Sequence, residues 1–131
     1  INALMDTVIL EATRGTTHIA SSGGGIAILT FGHARDAVDF TRVVQQKLAE
    51  NGLPVAVGVD SGPVLLFQNS RGASGIAGDA INIASKLAED IGRPGCISIT
   101  DRAAERLGNR EEHERFETTI SGVKLHGIIL H

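Results

Sequence analysis

The hydrophobic positions of this 131-residue chain change period several times, and each change predicts a new element. Over Asn2–Arg14, Leu4, Val8 and Ala12 recur at helical spacing, and Gly15 supplies a stop. From Thr16 to Ala20 the pattern alternates, Thr17 and Ile19 against His18 and Ala20, which predicts a strand. Ser21-Ser22-Gly23-Gly24-Gly25 reads as a turn, because glycine tolerates the positive φ of a tight hairpin. Ile26–Phe31 is almost wholly apolar, as expected of a strand covered on both faces. The two strands predict a hairpin. In Arg35–Glu50, Ala37, Phe40, Val44 and Leu48 lie three or four apart, the clearest helix in the chain, with Gly52 placed to end it. A second hairpin is predicted after Pro54: Val55, Val57 and Val59 alternate, Asp60-Ser61-Gly62 turns, and Val64–Phe67 returns. A polar loop, Gln68–Gly78, leads to a helix from Asp79 to about Ile91, stopped by Gly92-Arg93-Pro94-Gly95. Cys96–Ile99 predicts a short strand, and Thr100 or Asp101 caps a helix that runs to Leu107. The charged stretch Arg110–Arg115 reads as a solvated turn, and strands are predicted over Phe116–Ile120 and Val123–Leu130.

The predicted order, α-ββ-α-ββ-α-β-α-ββ, implies an α+β sandwich, a mainly antiparallel sheet with helices on one or both faces. The length fits one domain spanning residues 1–131. The formal net charge of −3 and a pI near 5.9 argue against a generic nucleic-acid binder, which carries a basic face. No apolar run reaches the roughly 20 residues of a membrane span, so no membrane contact is expected of this segment. The single cysteine, Cys96, excludes an internal disulfide and a multi-cysteine zinc site, and is compatible with a reducing, cytoplasmic setting.

Candidate chemistry concentrates between Gly72 and Ile99. On the helix, Asp79, Asn82, Lys86 and Asp90 form one polar stripe, while Ile81, Ala84, Leu87 and Ile91 lie on another side facing the core. A solvated face is the plain reading of such a stripe, with Asp79 favoured at the helix start and Lys86 one turn from Asp90. Asn82 in mid-helix costs helix propensity without an obvious structural return. The preceding Gly72–Gly78 loop, with the helix start, offers backbone N–H groups to an anion, but its spacing matches neither the dinucleotide fingerprint nor the P-loop. The five histidines show no metal-ligand spacing, and Cys96 reads as a core residue of an apolar strand.

Gly78-Asp79-Ala80-Ile81-Asn82-Ile83-Ala84-Ser85-Lys86-Leu87 resembles the Gly-Asp-x-Val-Asn-x-Ala-x-Arg-Leu segment of class III adenylate/guanylate cyclases. The resemblance extends in order along roughly residues 1–130. Gly24–Phe31 is similar to that family's Gly-Asp-Gly-x-Leu-Ala-x-Phe arm. Val57-Gly58-Val59-Asp60-Ser61-Gly62-Pro63-Val64 is similar to its Ile-Gly-Ile-His-x-Gly-x-Val hairpin, and Gly95–Thr100 to the strand after its Pro-Gly turn. The resemblance implies the ferredoxin-like, palm-type α/β sandwich of nucleotidyl cyclases. It also implies attack of a ribose 3′-hydroxyl on the triphosphate of ATP or GTP, assisted by two Mg²⁺ or Mn²⁺ ions held by two aspartates. Sites of that kind form between the subunits of a head-to-tail homodimer or heterodimer.

Carried over residue by residue, the transition-state Asn matches Asn82, and the transition-state Arg falls on Lys86, which keeps the charge but loses the planar fork. The second metal Asp falls on Gly25. The purine-reading Lys falls near Ser21 and its partner Asp near Gly75, while Gly78 and Asp79 match the segment beside the nucleotide. The first metal Asp belongs to a strand upstream of the first helix, expected to be missing from this chain. The expectation is therefore a cyclase homology domain without a metal site of its own, catalytically impaired, acting as a regulatory, dimerisation or nucleotide-binding module. One alternative is an active cyclase completed by an upstream Asp-bearing strand or by a partner. Another is a diguanylate-cyclase-like domain, whose Gly-Gly-Asp-Glu-Phe hairpin Gly23–Leu29 loosely resembles.

Overall fold

The computed structural model describes residues 18–23, 26–63, 65–68, 74–107 and 113–131. The helix predicted over Asn2–Arg14 and the position of Gly25 lie outside them. The element order is β1 (His18–Gly23), β2 (Ile26–Thr30), α1 (Ala34–Glu50), β3 (Val57–Val59), β4 (Leu65–Gln68), β5 (Ser74–Ala77), α2 (Asp79–Asp90), β6 (Ile97–Thr100), α3 (Asp101–Ala104), β7 (His113–Ile120) and β8 (Val123–Leu130).

A four-stranded sheet in the order β3-β6-β8-β7 forms the centre. β6 runs parallel to β3, with Val57 opposite Ile97, and antiparallel to β8, with Ile97 opposite Leu130. β7 and β8 form a long hairpin from His113↔Leu130 to Ile120↔Val123, turned by Ser121 (φ 51°) and Gly122 (φ 78°). Positive φ at both central residues gives the turn whose twist matches the flanking strands. The sheet is mixed and α+β, as the sequence implies.

Several local expectations change, and the helix expected to run to Leu107 ends at Ala104. Ser21–Gly23 continue β1 rather than turning, and pair with β2 through a register shift between Ile19 and Ser21. β3 and β4 do not form a hairpin. β3 is claimed by β6, and β4 pairs instead with β5, Leu65 opposite Ala77, through the segment read as a polar loop. Strand-like alternation in β3 specifies a strand but not its partner, and Asp60-Ser61-Gly62 leads the chain out of the sheet. The charged stretch is also partly strand: Glu114 and Arg115 belong to β7, where alternate side chains of an edge strand face water.

α1 buries Ala37, Val38, Thr41, Val44, Gln45 and Leu48 along one stripe. Its end is closed by Leu53 N–H to Leu48 O (2.9 Å) and Gly52 N–H to Ala49 O (3.0 Å), with Gly52 at φ 76°. This is the glycine-dependent C-terminal motif that Asn51-Gly52 predicts. Ala37 and Val38 join Val59, Ile97, Ile99, Ala103, Ile128 and Leu130 in the main core. A second cluster sets Val44 and Leu48 against Leu29, Phe40, Leu53 and Val55. Gln45 is buried, and its amide donates to Val55 O (3.0 Å) and Cys96 O (2.8 Å), pinning α1 to the chain entering β3 and β6.

α2 covers the opposite face. On Gly58 of β3, a Cβ atom would fall on the carbonyl oxygen of Ala84 and come within 2.9 Å of Ala88 N. Only glycine lets this strand and helix approach so closely.

Among the described residues, β3 has a strand partner on one side only, and β2 pairs only with β1. Both border an open cleft of about 1080 Å³, with Leu29, Phe31, Phe40, Val44, Val55 and Val57 among its lining.

Candidate functional site

β5 delivers the chain through Gly78 into α2. Gly78 has φ 148° and ψ 150°, a conformation reserved for glycine, and sits at the N-cap position with no side-chain cap. The polar stripe then emerges as its spacing dictates. Asp79, Asn82, Lys86 and Asp90 are exposed, while Ala80 and Leu87 are buried. Asn82 Nδ2 donates to Ser121 Oγ at 3.4 Å, so the β7–β8 turn lies against this face. Lys86 Nζ is 3.6 Å from Glu89 Oε2, with both side chains about half exposed; its partner is Glu89 rather than Asp90. Ser21 lies in β1 opposite Ile28, and Gly75 in β5 opposite Phe67. β1 and β5 are neighbours, so the structure brings the strands of Ser21 and Gly75 together, while Asn82 and Lys86 lie one element further on.

Asp60, directly after β3, has a side chain with no exposed surface. One carboxylate oxygen accepts from Thr100 Oγ1 (2.5 Å) and Arg102 Nε (2.8 Å), and the other accepts from the second arm of the Arg102 guanidinium. These hydrogen bonds hold the Arg102 guanidinium above its usual range, partial burial opposes them, and Asp79 adds a smaller push. The fork is bidentate, the strongest form of an arginine–carboxylate pair. The sequence places Asp60 in a turn and carries no local sign of this pair. Asp60 and Arg102 are 42 positions apart, and no periodicity links them.

What the site offers chemically is an exposed carboxamide and an exposed ammonium four residues apart on one helix. Both are hydrogen-bond donors able to meet negative charge presented from outside the chain. Among the described residues, no group of three or more His, Cys, Asp or Glu side chains is placed to hold a metal ion.

No protein-family model and no curated protein matches this chain. Solved structures do. The dimeric guanylyl cyclase domain of the RhoGC fusion protein from the aquatic fungus Blastocladiella emersonii superposes with a TM-score of 0.81 at 17% identity, over 98% of this chain and 79% of that one. The guanylate cyclase domain of RhGC from Catenaria anguillulae, in complex with GTP, gives 0.75 at 18% identity, over 98% and 79%. An adenylate/guanylate cyclase/hydrolase from Silicibacter pomeroyi gives 0.69 at 19% identity, over 93% and 75%. The chain has the fold of adenylyl and guanylyl cyclase catalytic domains.

Proposed function

We propose that this chain is a cyclase homology domain that does not turn over nucleotide by itself and serves as a regulatory or nucleotide-binding half of a cyclase-type dimer. The observation that carries this reading is the commitment of Asp60. Its buried carboxylate, at the end of β3, already accepts from Arg102 and Thr100, so it is not free to serve as a metal ligand. The glycines at 25 and 75 stand where the resemblance calls for acids. Metal stabilisation of a developing phosphoryl charge is worth several kcal/mol, thousands-fold in rate, and Asn82 and Lys86 do not substitute for it.

Asn82 and Lys86 fit the other half of such a site. In this role Asn82 donates its amide to the ribose–phosphate region of a nucleotide held by the partner, and Lys86 neutralises phosphate charge as a point cation. Ser21, Gly75, Gly78 and Asp79 border the same nucleotide, without the Lys and Asp that would choose between ATP and GTP. Mg²⁺ or Mn²⁺ enters with the partner. A cytoplasmic setting suits the lone thiol. Among the described residues no helix is long and apolar enough to cross a membrane.

The purified chain, incubated with ATP or GTP and Mn²⁺ or Mg²⁺, is expected to form no cyclic nucleotide above background, and Lys86→Arg is expected to leave it there. Robust conversion by the chain alone overturns the reading.

The cleft favours a second reading, an active cyclase completed by one more strand. Among the described residues, β2 and β3 border the cleft without pairing across it, and an inserted strand bearing an Asp would supply a metal ligand from the same polypeptide or from a partner. Turnover appearing only when such a segment is fused to or mixed with the chain, and abolished by Asn82→Ala, selects this reading over the first.

A further inference from the structure

At the end of the sheet away from the β7–β8 turn that Asn82 meets, three polar side chains form a line that the cyclase reading does not use. Cys96 lies between the Gly95 turn and β6, and is partly buried. Its Sγ is 3.6 Å from His131 Nδ1, and His131 Nε2 is 2.8 Å from Glu114 Oε1 on β7. Arg93 meets the same Glu114 oxygen at 3.0 Å.

The proton arrangement follows from the partners. An ionised carboxylate only accepts, so Nε2 of His131 carries the hydrogen toward Glu114, and a neutral ring presents the lone pair of Nδ1 to the thiol. Arg93 holds the Glu114 carboxyl below the usual carboxylate range, with His131 adding to the effect. Nucleophile, base and orienting acid therefore stand in the sequence that activates a thiol. The thiol is also held in place. Cys96 N–H donates to Arg93 O (3.0 Å), and Cys96 O accepts from buried Gln45 (2.8 Å).

We propose that Cys96, His131 and Glu114 form a thiol-activating relay, a modification site at which Cys96 exchanges with a small-molecule disulfide and is left as a mixed disulfide. Cys96 Sγ passes its proton to His131 Nδ1, and Glu114 stabilises the imidazolium. The thiolate attacks one sulfur of the disulfide, a new S–S bond forms as the old one breaks, and the departing thiolate takes the proton from His131. One disulfide and one thiol enter, and one disulfide and one thiol leave. Acyl chemistry is disfavoured at this place, because an oxyanion needs free donors and the N–H groups of Gly95 and Cys96 are already committed to Val55 O and Arg93 O. The chain has no second cysteine to resolve the product, so the mixed disulfide persists until an external thiol removes it.

The test uses 5,5′-dithiobis(2-nitrobenzoate), whose leaving thiolate is coloured, on the folded chain across a pH series, with the same chain unfolded in guanidinium chloride as the reference thiol. Among the described residues, the charged groups facing the relay are Arg93 from the α2–β6 connection, Glu114 from β7 and Arg42 from α1, which donates to His131 O at 3.4 Å. At neutral pH the folded chain is expected to react at least about tenfold faster than the unfolded one, with a profile that falls toward acid pH. His131→Ala and His131→Asn are expected to remove the advantage, and Glu114→Gln to reduce it, with circular dichroism unchanged. A folded-state rate at or below that of the unfolded thiol throughout the series overturns the proposal. So does a full advantage retained by both well-folded His131 variants.

Discussion

Asp60 shows how a single side chain can be removed from chemistry by its neighbours. Its carboxylate lies at the end of β3 with no exposed surface, and the half-exposed Arg102 fork supplies most of what water no longer does. Removing the arginine strands the acid with Thr100 alone. Arg102→Ala is expected to lower stability by about 2 kcal/mol, read as a fall in the urea midpoint at unchanged slope. In the double variant Asp60→Ala/Arg102→Ala the loss is expected to be less than the sum of the singles. Purely additive losses would mean that the two side chains are not coupled. Glu114 makes a pH-dependent contribution of the opposite exposure class. Its folded pKa is depressed, first by Arg93. Its contribution is therefore fully present above the range where a free glutamate titrates, and is lost as pH falls through the lower folded value. The stability difference between the wild-type chain and Glu114→Gln is expected to close as urea titrations move from neutral to acid pH. A gap that widens with acid contradicts the pairing.

At the scale of elements, the sequence was most readable where one helix meets one surface. The period of Ala37, Val44 and Leu48 and the Asn51-Gly52 stop locate α1 almost to the residue, because a buried stripe and a glycine cap are local properties. The polar stripe of α2 was equally visible, since exposure follows helical spacing. Strand partners were not. Val57-Gly58-Val59 reads as half of a hairpin, and nothing local says that Ile97 rather than Leu65 lies beside it. The clusters built across the chain, Asp60 with Arg102 and Cys96 with His131, were invisible for the same reason. Gly58 is the exception that can be tested. A methyl group there meets helix backbone rather than a movable side chain, so Gly58→Ala is expected to cost about 1–3 kcal/mol through displacement of α2, measured by thermal or urea unfolding. A neutral effect would show that β3 and α2 are less tightly apposed.

For the whole molecule, the asymmetry among the described residues is between β6, paired on both sides, and β2 and β3, which border the cleft without pairing across it. All four residues of β6 are buried between β3 and β8. Native-state hydrogen exchange is expected to find the Ile97–Thr100 amides among the slowest. Amides of β2 and β3 directed at the cleft are expected to exchange at least about tenfold faster, because local opening there breaks few contacts. Uniform protection across β3 and β6 would show the cleft to be filled in solution.

The parallel pairing of Val57 with Ile97 also sets an order of assembly. The β7–β8 hairpin closes over two residues, Ser121 and Gly122, an event of microseconds. β6 reaches β8 across α3 and the already paired β7, Thr100 meeting Gly127. β3 must bring together positions about 40 residues apart before any ladder bond forms. Such non-local closure is the slow part of folding. Of these three ladders, the one that raises β3 as the wall of the cleft is expected to close last, and a segment that lodges between β2 and β3 is expected to do so late in folding.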